Sequence, residues 1–158
     1  MTTTQAPGTD APPRIAVRSQ VLGDIEVDAA EALRFCEPVP GFPGCVRYAL
    51  VPHRRADGAA NDSVLWLQAL EPPYHAFIVT DPWSVVGDYA PEISDADAAL
   101  LRLRSFEDAR VMAILTVPRD GGVTINLRAP VVFNVAERLA KQVVLLSDQY
   151  HTRHPLAG

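Results

Sequence analysis

Proline narrows the folding options of these 158 residues more than any other feature, with fourteen of them, against nine glycines, running from Pro7 to Pro155. Proline has no backbone donor, and its ring clashes with the preceding helical turn, so long helices and central strands do not run through it. Between the prolines the chain is written in short, β-branched runs such as Ile15-Ala16-Val17 and Ile25-Glu26-Val27. That combination predicts many short strands joined by stiff turns.

Ile15–Val17 and Ile25–Val27 flank Leu22-Gly23-Asp24 and read as an opening hairpin. Residues 28–33 read as one helical turn, with Asp28 as cap and Glu31 at the capping-box position. Pro38-Val39-Pro40-Gly41-Phe42-Pro43-Gly44 excludes both helix and central strand and reads as a stiff, ordered loop. Further strands are expected at 46–51, 64–70, 76–80, 111–117, 123–127, 130–134 and 142–146. The 111–117 run is almost wholly apolar, as in a strand buried on both faces. An exposed loop is expected over 52–62, and a tight turn at Asp120-Gly121-Gly122. One helix, residues 95–103, is announced by Ser94 and Asp97. The fold expected is mainly β: a small, closed or nearly closed antiparallel β-barrel-like domain over 14–156, with roughly eight to ten strands and one or two short helices, since closure removes exposed strand edges. Residues 1–13, rich in Thr, Ala and Pro, read as a disordered extension.

The same residues exclude several functions. No apolar run reaches the roughly 20 residues of a membrane span, and the N-terminus lacks the basic start and apolar stretch of a secretory signal. Cys36 and Cys45 have no CxxC spacing and read as free thiols of a reducing compartment, which predicts a cytoplasmic protein with no membrane partner. A formal charge of −5 disfavours direct nucleic-acid binding and favours a basic protein partner. There is no G-x-S-x-G elbow, P-loop or G-x-G-x-x-G. Of His53, His75, His151 and His154 only the last two are close, and Arg153 between them repels a cation. Cys36 reads as a structural thiol before a nucleophile. Glu92, Asp95 and Asp97 surround a helix start, where the dipole favours acids. Trp66, within Leu65-Trp66-Leu67, reads as core, and Trp83 stands beside a turn. No catalytic, cofactor-binding or metal-binding residue is therefore assigned.

Two segments lack a purely structural reading: the loop around Phe42, and the stretch from Tyr150 to Leu156 with its Tyr, Arg and two His. Such types anchor interfaces, or pin a chain end to the domain. Together with Asp81 they give the candidate partner contacts Phe42, Asp81, Tyr150, His151, Arg153, His154 and Pro155.

Several blocks, taken in order, resemble one family. They are Phe35 with Val39-Pro40-Gly41-Phe42, Leu65-Trp66-Leu67-Gln68-Ala69-Leu70-Glu71, and Ala76-Phe77-Ile78-Val79-Thr80-Asp81-Pro82. Ile114-Leu115-Thr116-Val117-Pro118, the run from Thr124 to Asn134, Gln142-Val143-Val144-Leu145 and the closing Tyr150–Leu156 complete the set. The family is that of the flagellar assembly factor FliW, and the likeness covers residues 14–156. Pro38 and Ala140 stand where that family usually has glycine, and the 52–62 loop and N-terminal extension lie outside the shared pattern. The resemblance implies a non-catalytic β-barrel that binds cytoplasmic flagellin and, alternatively, the RNA-binding translational repressor CsrA. When flagellin occupies the factor, freed CsrA represses flagellin synthesis. The competing reading is a small β-barrel enzyme or ligand-binding protein of unknown substrate.

Overall fold

The computed structural model describes residues 13–54, 57, 58 and 60–156. The expected disordered extension thus lies outside the described residues except for Pro13, whose carbonyl accepts from the Ala29 N–H at 2.8 Å.

The chain opens with an antiparallel hairpin, β1 (Arg14–Ser19) and β2 (Gly23–Asp28), in register from Arg14↔Asp28 to Ser19↔Gly23. Asp28 then caps a 3-10 turn, Ala29–Glu31, by accepting from the Ala30 N–H. β3 (Leu33–Phe35), β4 (Arg47–Arg54), β5 (Ala60–Ala69), β6 (Ala76–Thr80) and β7 (Ala109–Thr116) pair antiparallel, each with the next. The first half of β7 also pairs with β9 (Val131–Asn134), β9 pairs with β10 (Leu139–Gln142), and β10 returns to β3. The sheet therefore closes into a seven-stranded barrel of β3, β4, β5, β6, β7, β9 and β10. The closing seam, Leu139↔Arg34 and Ala140↔Phe35, is parallel, whereas an all-antiparallel barrel was expected. On the second half of β7, β8 (Thr124–Ile125) takes the place of β9, and β11 (His154–Pro155) pairs with β8.

Alternation along the strands sorts the core into layers. Phe35, Tyr48, Leu67, Val79, Met112, Val131 and Phe133 fill one buried cluster. Val111, Ala113 and Val132, one residue out of phase, belong to a second cluster with Leu101, Leu127, Val143, Leu145, Tyr89 and Tyr150. Because both faces of β9 are covered, all four of its residues are buried. The opening hairpin packs Val17 and Val27 against Ala49 and Leu70. Trp66 departs from the sequence expectation: it is half-buried, stacked on His53 with ring centroids 5.5 Å apart.

The helix α1 (Asp95–Leu100) starts where expected, with the Ser94 side chain accepting from the Asp97 N–H at 3.1 Å. It stops short of Leu103 because Arg102 turns left-handed (φ 57°), with Arg102 N–H donating to Ala99 O and Leu103 N–H to Ala98 O. That pair of bonds is the Schellman termination, made here without glycine.

Four further expectations are corrected. Both flanks of the predicted 52–62 loop are strand, since β4 runs to Arg54 and β5 begins at Ala60; a register shift between Pro52 and His53 accommodates the proline. Only Thr124–Ile125 of 123–127 is strand. β10 lies at Leu139–Gln142 rather than 142–146, although its antiparallel register continues: Val143 N–H donates to Pro130 O at 2.9 Å and Leu145 N–H to Arg128 O at 2.8 Å. Pro130 has no N–H with which to return a bond, so the ladder is one-sided there. Finally, β3 and β11 were not anticipated, one being three residues long and the other containing a proline.

Candidate functional site

The structure separates the candidate residues into two groups. Phe42 lies in the proline-rich loop, which folds on itself through Phe42 N–H to Val39 O (3.0 Å) and Cys45 N–H to Phe42 O (3.1 Å). Its ring stacks on His75 at a centroid distance of 3.6 Å and meets the edge of Phe77 at 5.7 Å. Beneath it, His75 Nε2 lies 2.7 Å from the Tyr48 hydroxyl. Burial lowers the His75 pKa and raises that of Tyr48, so both groups are held neutral. Nearby, burial works against the Glu71 charge, but amide bonds from Val46 (2.7 Å) and Arg47 (3.0 Å), with the Arg47 guanidinium, outweigh it and lower its pKa.

The other group surrounds a chain of rings. Asp81, exposed, caps the 3-10 turn Pro82–Ser84 by accepting from Trp83 N–H at 2.9 Å. Trp83 sits edge-on to Tyr89 (5.5 Å) and donates from Nε1 to the Tyr89 carbonyl at 2.8 Å. Tyr89 in turn meets Tyr150 at 4.7 Å, and the Tyr150 hydroxyl accepts from Ala90 N–H at 2.8 Å. Tyr150 is thus buried against the domain, while His151, Arg153 and Pro155 are exposed and His154 is half-buried in its pairing with Ile125. These contacts join Asp81 and the closing segment into one region; Phe42 packs against the other cluster.

Sequence reasoning missed a groove of about 300 Å³ beside this second region. Its lining includes Glu92, Ile93, Asp97, Val144, Leu146 and Tyr150. Val144 and Leu146 are 64% and 92% exposed, whereas Val143 and Leu145 are buried. Behind Asp97 lies Lys141, with Nζ 2.6 Å from the Asp97 carboxylate and 3.6 Å from that of Glu37. Burial alone would lower the Lys141 pKa, but its bonds to Asp97 and Glu37 raise it. Val143-Val144-Leu145-Leu146 is uniformly apolar and carries no polar alternation, so only the fold shows that Val144 and Leu146 open onto a groove while Val143 and Leu145 turn inward.

The arrangement does not suit covalent catalysis. The Cys36 thiol donates to Leu100 O, Cys45 to Glu71 O and Pro72 O, and burial raises both pKa values, away from the thiolate a nucleophile needs. Among the described residues no group of three or more His, Cys, Asp or Glu could hold a metal ion. No helix among them is long and apolar enough to cross a membrane.

Known proteins supply the context for this geometry. A family model described as FliW protein matches residues 16–156. The chain is 37% identical over 135 residues to a flagellar assembly factor FliW of Syntrophotalea carbinolica, covering 85% of this chain and 93% of that protein. It is 36% identical over 145 residues to the one from Exiguobacterium sp., covering 90% and 94%. A crystal structure of the flagellar assembly factor FliW superposes with a TM-score of 0.79 at 29% identity, covering 90% of this chain and 97% of that one.

Proposed function

The chain belongs to the FliW family of flagellar assembly factors, and from that premise we propose that it is a partner switch acting in the cytoplasm. It binds newly made flagellin and, alternatively, the translational repressor CsrA. CsrA held by this protein no longer represses flagellin synthesis; flagellin displaces it and restores repression. The family's role is flagellar assembly rather than catalysis, so the protein works by occupying surfaces, not by turning over a substrate.

The family match along residues 16–156 carries this reading, since it spans both regions described above. The exposed His151, Arg153 and Asp81 and half-buried His154 supply polar groups, and exposed Pro155 an apolar one, beside an aromatic platform. Phe42 and Tyr150 act in this reading as the fixed supports of their segments. A ligand-binding barrel finds less support, because Phe35, Tyr48, Leu67 and Phe133 fill the interior.

Calorimetry with the flagellin and CsrA of the same genome tests the proposal. Binding of both, with flagellin displacing CsrA, is the expected result. A folded sample that binds neither would overturn it.

A further inference from the structure

The barrel has one seam that closes only part-way. β10 is flanked by β9 on one side and β3 on the other, and the β3 side ends early: Cys36 N–H donates to Ala140 O at 2.9 Å, after which Pro38 turns the chain away. Beyond Ala140 the strand continues against residues 128–130 through the Val143 and Leu145 amides. Successive amides of an extended chain point to opposite sides, so those of Val144 and Leu146 point to the side β3 has vacated. Among the described residues neither of these amides makes a hydrogen bond. An open edge of this kind is a template for another strand.

The groove beside that edge is selective as well as open. Val144 and Leu146 contribute exposed apolar side chains to its lining, together with Ile93, which also packs against the cluster that holds Val143 and Leu145. Glu92 and Asp97 line it, exposed Asp95 and Asp148 flank it in sequence, and no Lys or Arg is in the lining. Lys141 lies behind Asp97, with its side chain 13% exposed. Apolar contact and backbone pairing set the register of an added strand, while the acidic wall sets its charge.

We propose that the open edge at Val144 and Leu146 takes up an extended segment of a partner protein in which apolar and basic side chains alternate. The proposal deepens the partner-binding reading and rests on it for the claim that this protein works by docking.

The test uses the full chain, labelled for amide exchange by NMR, and a capped hexapeptide alternating Lys and Val, with its Glu–Val counterpart as control. The Lys–Val peptide is expected to slow exchange at the Val144 and Leu146 amides by about tenfold or more at saturation, as newly bonded amides do. The Glu–Val peptide should have no such effect. Glu92→Lys and Leu146→Asp, both at exposed positions, should each weaken the Lys–Val peptide about tenfold with an unchanged melting temperature. Absence of added protection, or binding by both variants as tight as by the unmodified protein, overturns the proposal. So does protection present without peptide, whether removed by deleting residues 1–12 (the chain's own N-terminus in the groove) or dependent on protein concentration (a second copy). Calorimetry with flagellin and CsrA in parallel keeps the two readings apart. If those partners bind while the edge stays unprotected, the groove assignment fails and the partner switch stands. If the peptide protects the edge while neither partner binds, the reverse holds.

Discussion

His75 is 7% exposed, stacked under Phe42, with Nε2 against the Tyr48 hydroxyl and no hydrogen-bond partner for Nδ1 among the described residues. A charged imidazole there would lose water and gain no acid to pair with, which is why its pKa lies below the ordinary 6.5. The unfolded chain therefore binds the proton more readily than the folded one. It follows that the His75 contribution to stability is complete above about pH 6.5 and is lost as pH falls through that value toward the folded-state pKa. Thermal melts from pH 7.5 to 5.5 should show a falling melting temperature, and His75→Gln should flatten that fall. An identical slope in the variant would place the pH sensitivity elsewhere. Tyr150 makes a second case at this scale. Tyr150→Phe loses the bond from the Ala90 amide, about 1 kcal/mol, whereas Tyr150→Ala also opens a cavity against Tyr89 and should cost about 3–5 kcal/mol. Chemical denaturation of both variants separates the two contributions; equal losses would mean that the ring packs nothing.

The six-residue helix α1 is too short to be stable alone, and tertiary contacts hold it: Leu101 is fully buried and Asp97 pairs with Lys141 across to β10. Its Ser94 cap should therefore matter more than in a long helix. Ser94→Ala is expected to cost about 1 kcal/mol, roughly 2–4 °C in melting temperature for a domain of this size. No change would show that packing alone positions the start. This helix was legible in the sequence because Ser94 and Asp97 form a local signal, and its early end was not, because Arg102 adopts a left-handed conformation usually marked by glycine. The same division applies to the strands. β6, β7 and β9 announce themselves through continuous β-branched or apolar runs, which are buried on both faces throughout β9 and in the middle of β7. β3 is three residues long and is held by partners remote in sequence, at Arg47, Tyr48, Leu139 and Ala140. The parallel seam it makes with β10 could not be read from any local pattern. The candidate site divides likewise. Residue type pointed to the closing segment, but only the fold shows that Tyr150 faces inward, and only the unfinished seam shows an edge at Val144.

Charge belongs to the molecule as a whole. The chain carries −5 at neutral pH, and several of its exposed acids, Glu92, Asp95 and Asp148 among them, cluster near the groove and the open edge. If the protein holds an RNA-binding repressor, it brings that negative field close to the surface the RNA must approach. Phosphates would then meet repulsion even where the RNA site itself remains uncovered. Such a field is screened over about 10 Å at 0.1 M salt and about 3 Å at 1 M, whereas an effect transmitted through packed contacts is not screened in this way. Inhibition of RNA binding by a saturating amount of this protein should therefore weaken as salt rises, measured against the repressor's own salt dependence, because RNA binding itself loosens with counterion release. Saturation must be verified at each salt concentration, since docking through an acidic groove would loosen too. Inhibition that stays constant once both corrections are made would remove electrostatics from the mechanism and leave conformational coupling inside the repressor. Inhibition that fades, and fades less when Glu92 and Asp148 are changed to their amides, would locate part of the inhibitory action on this face of the barrel.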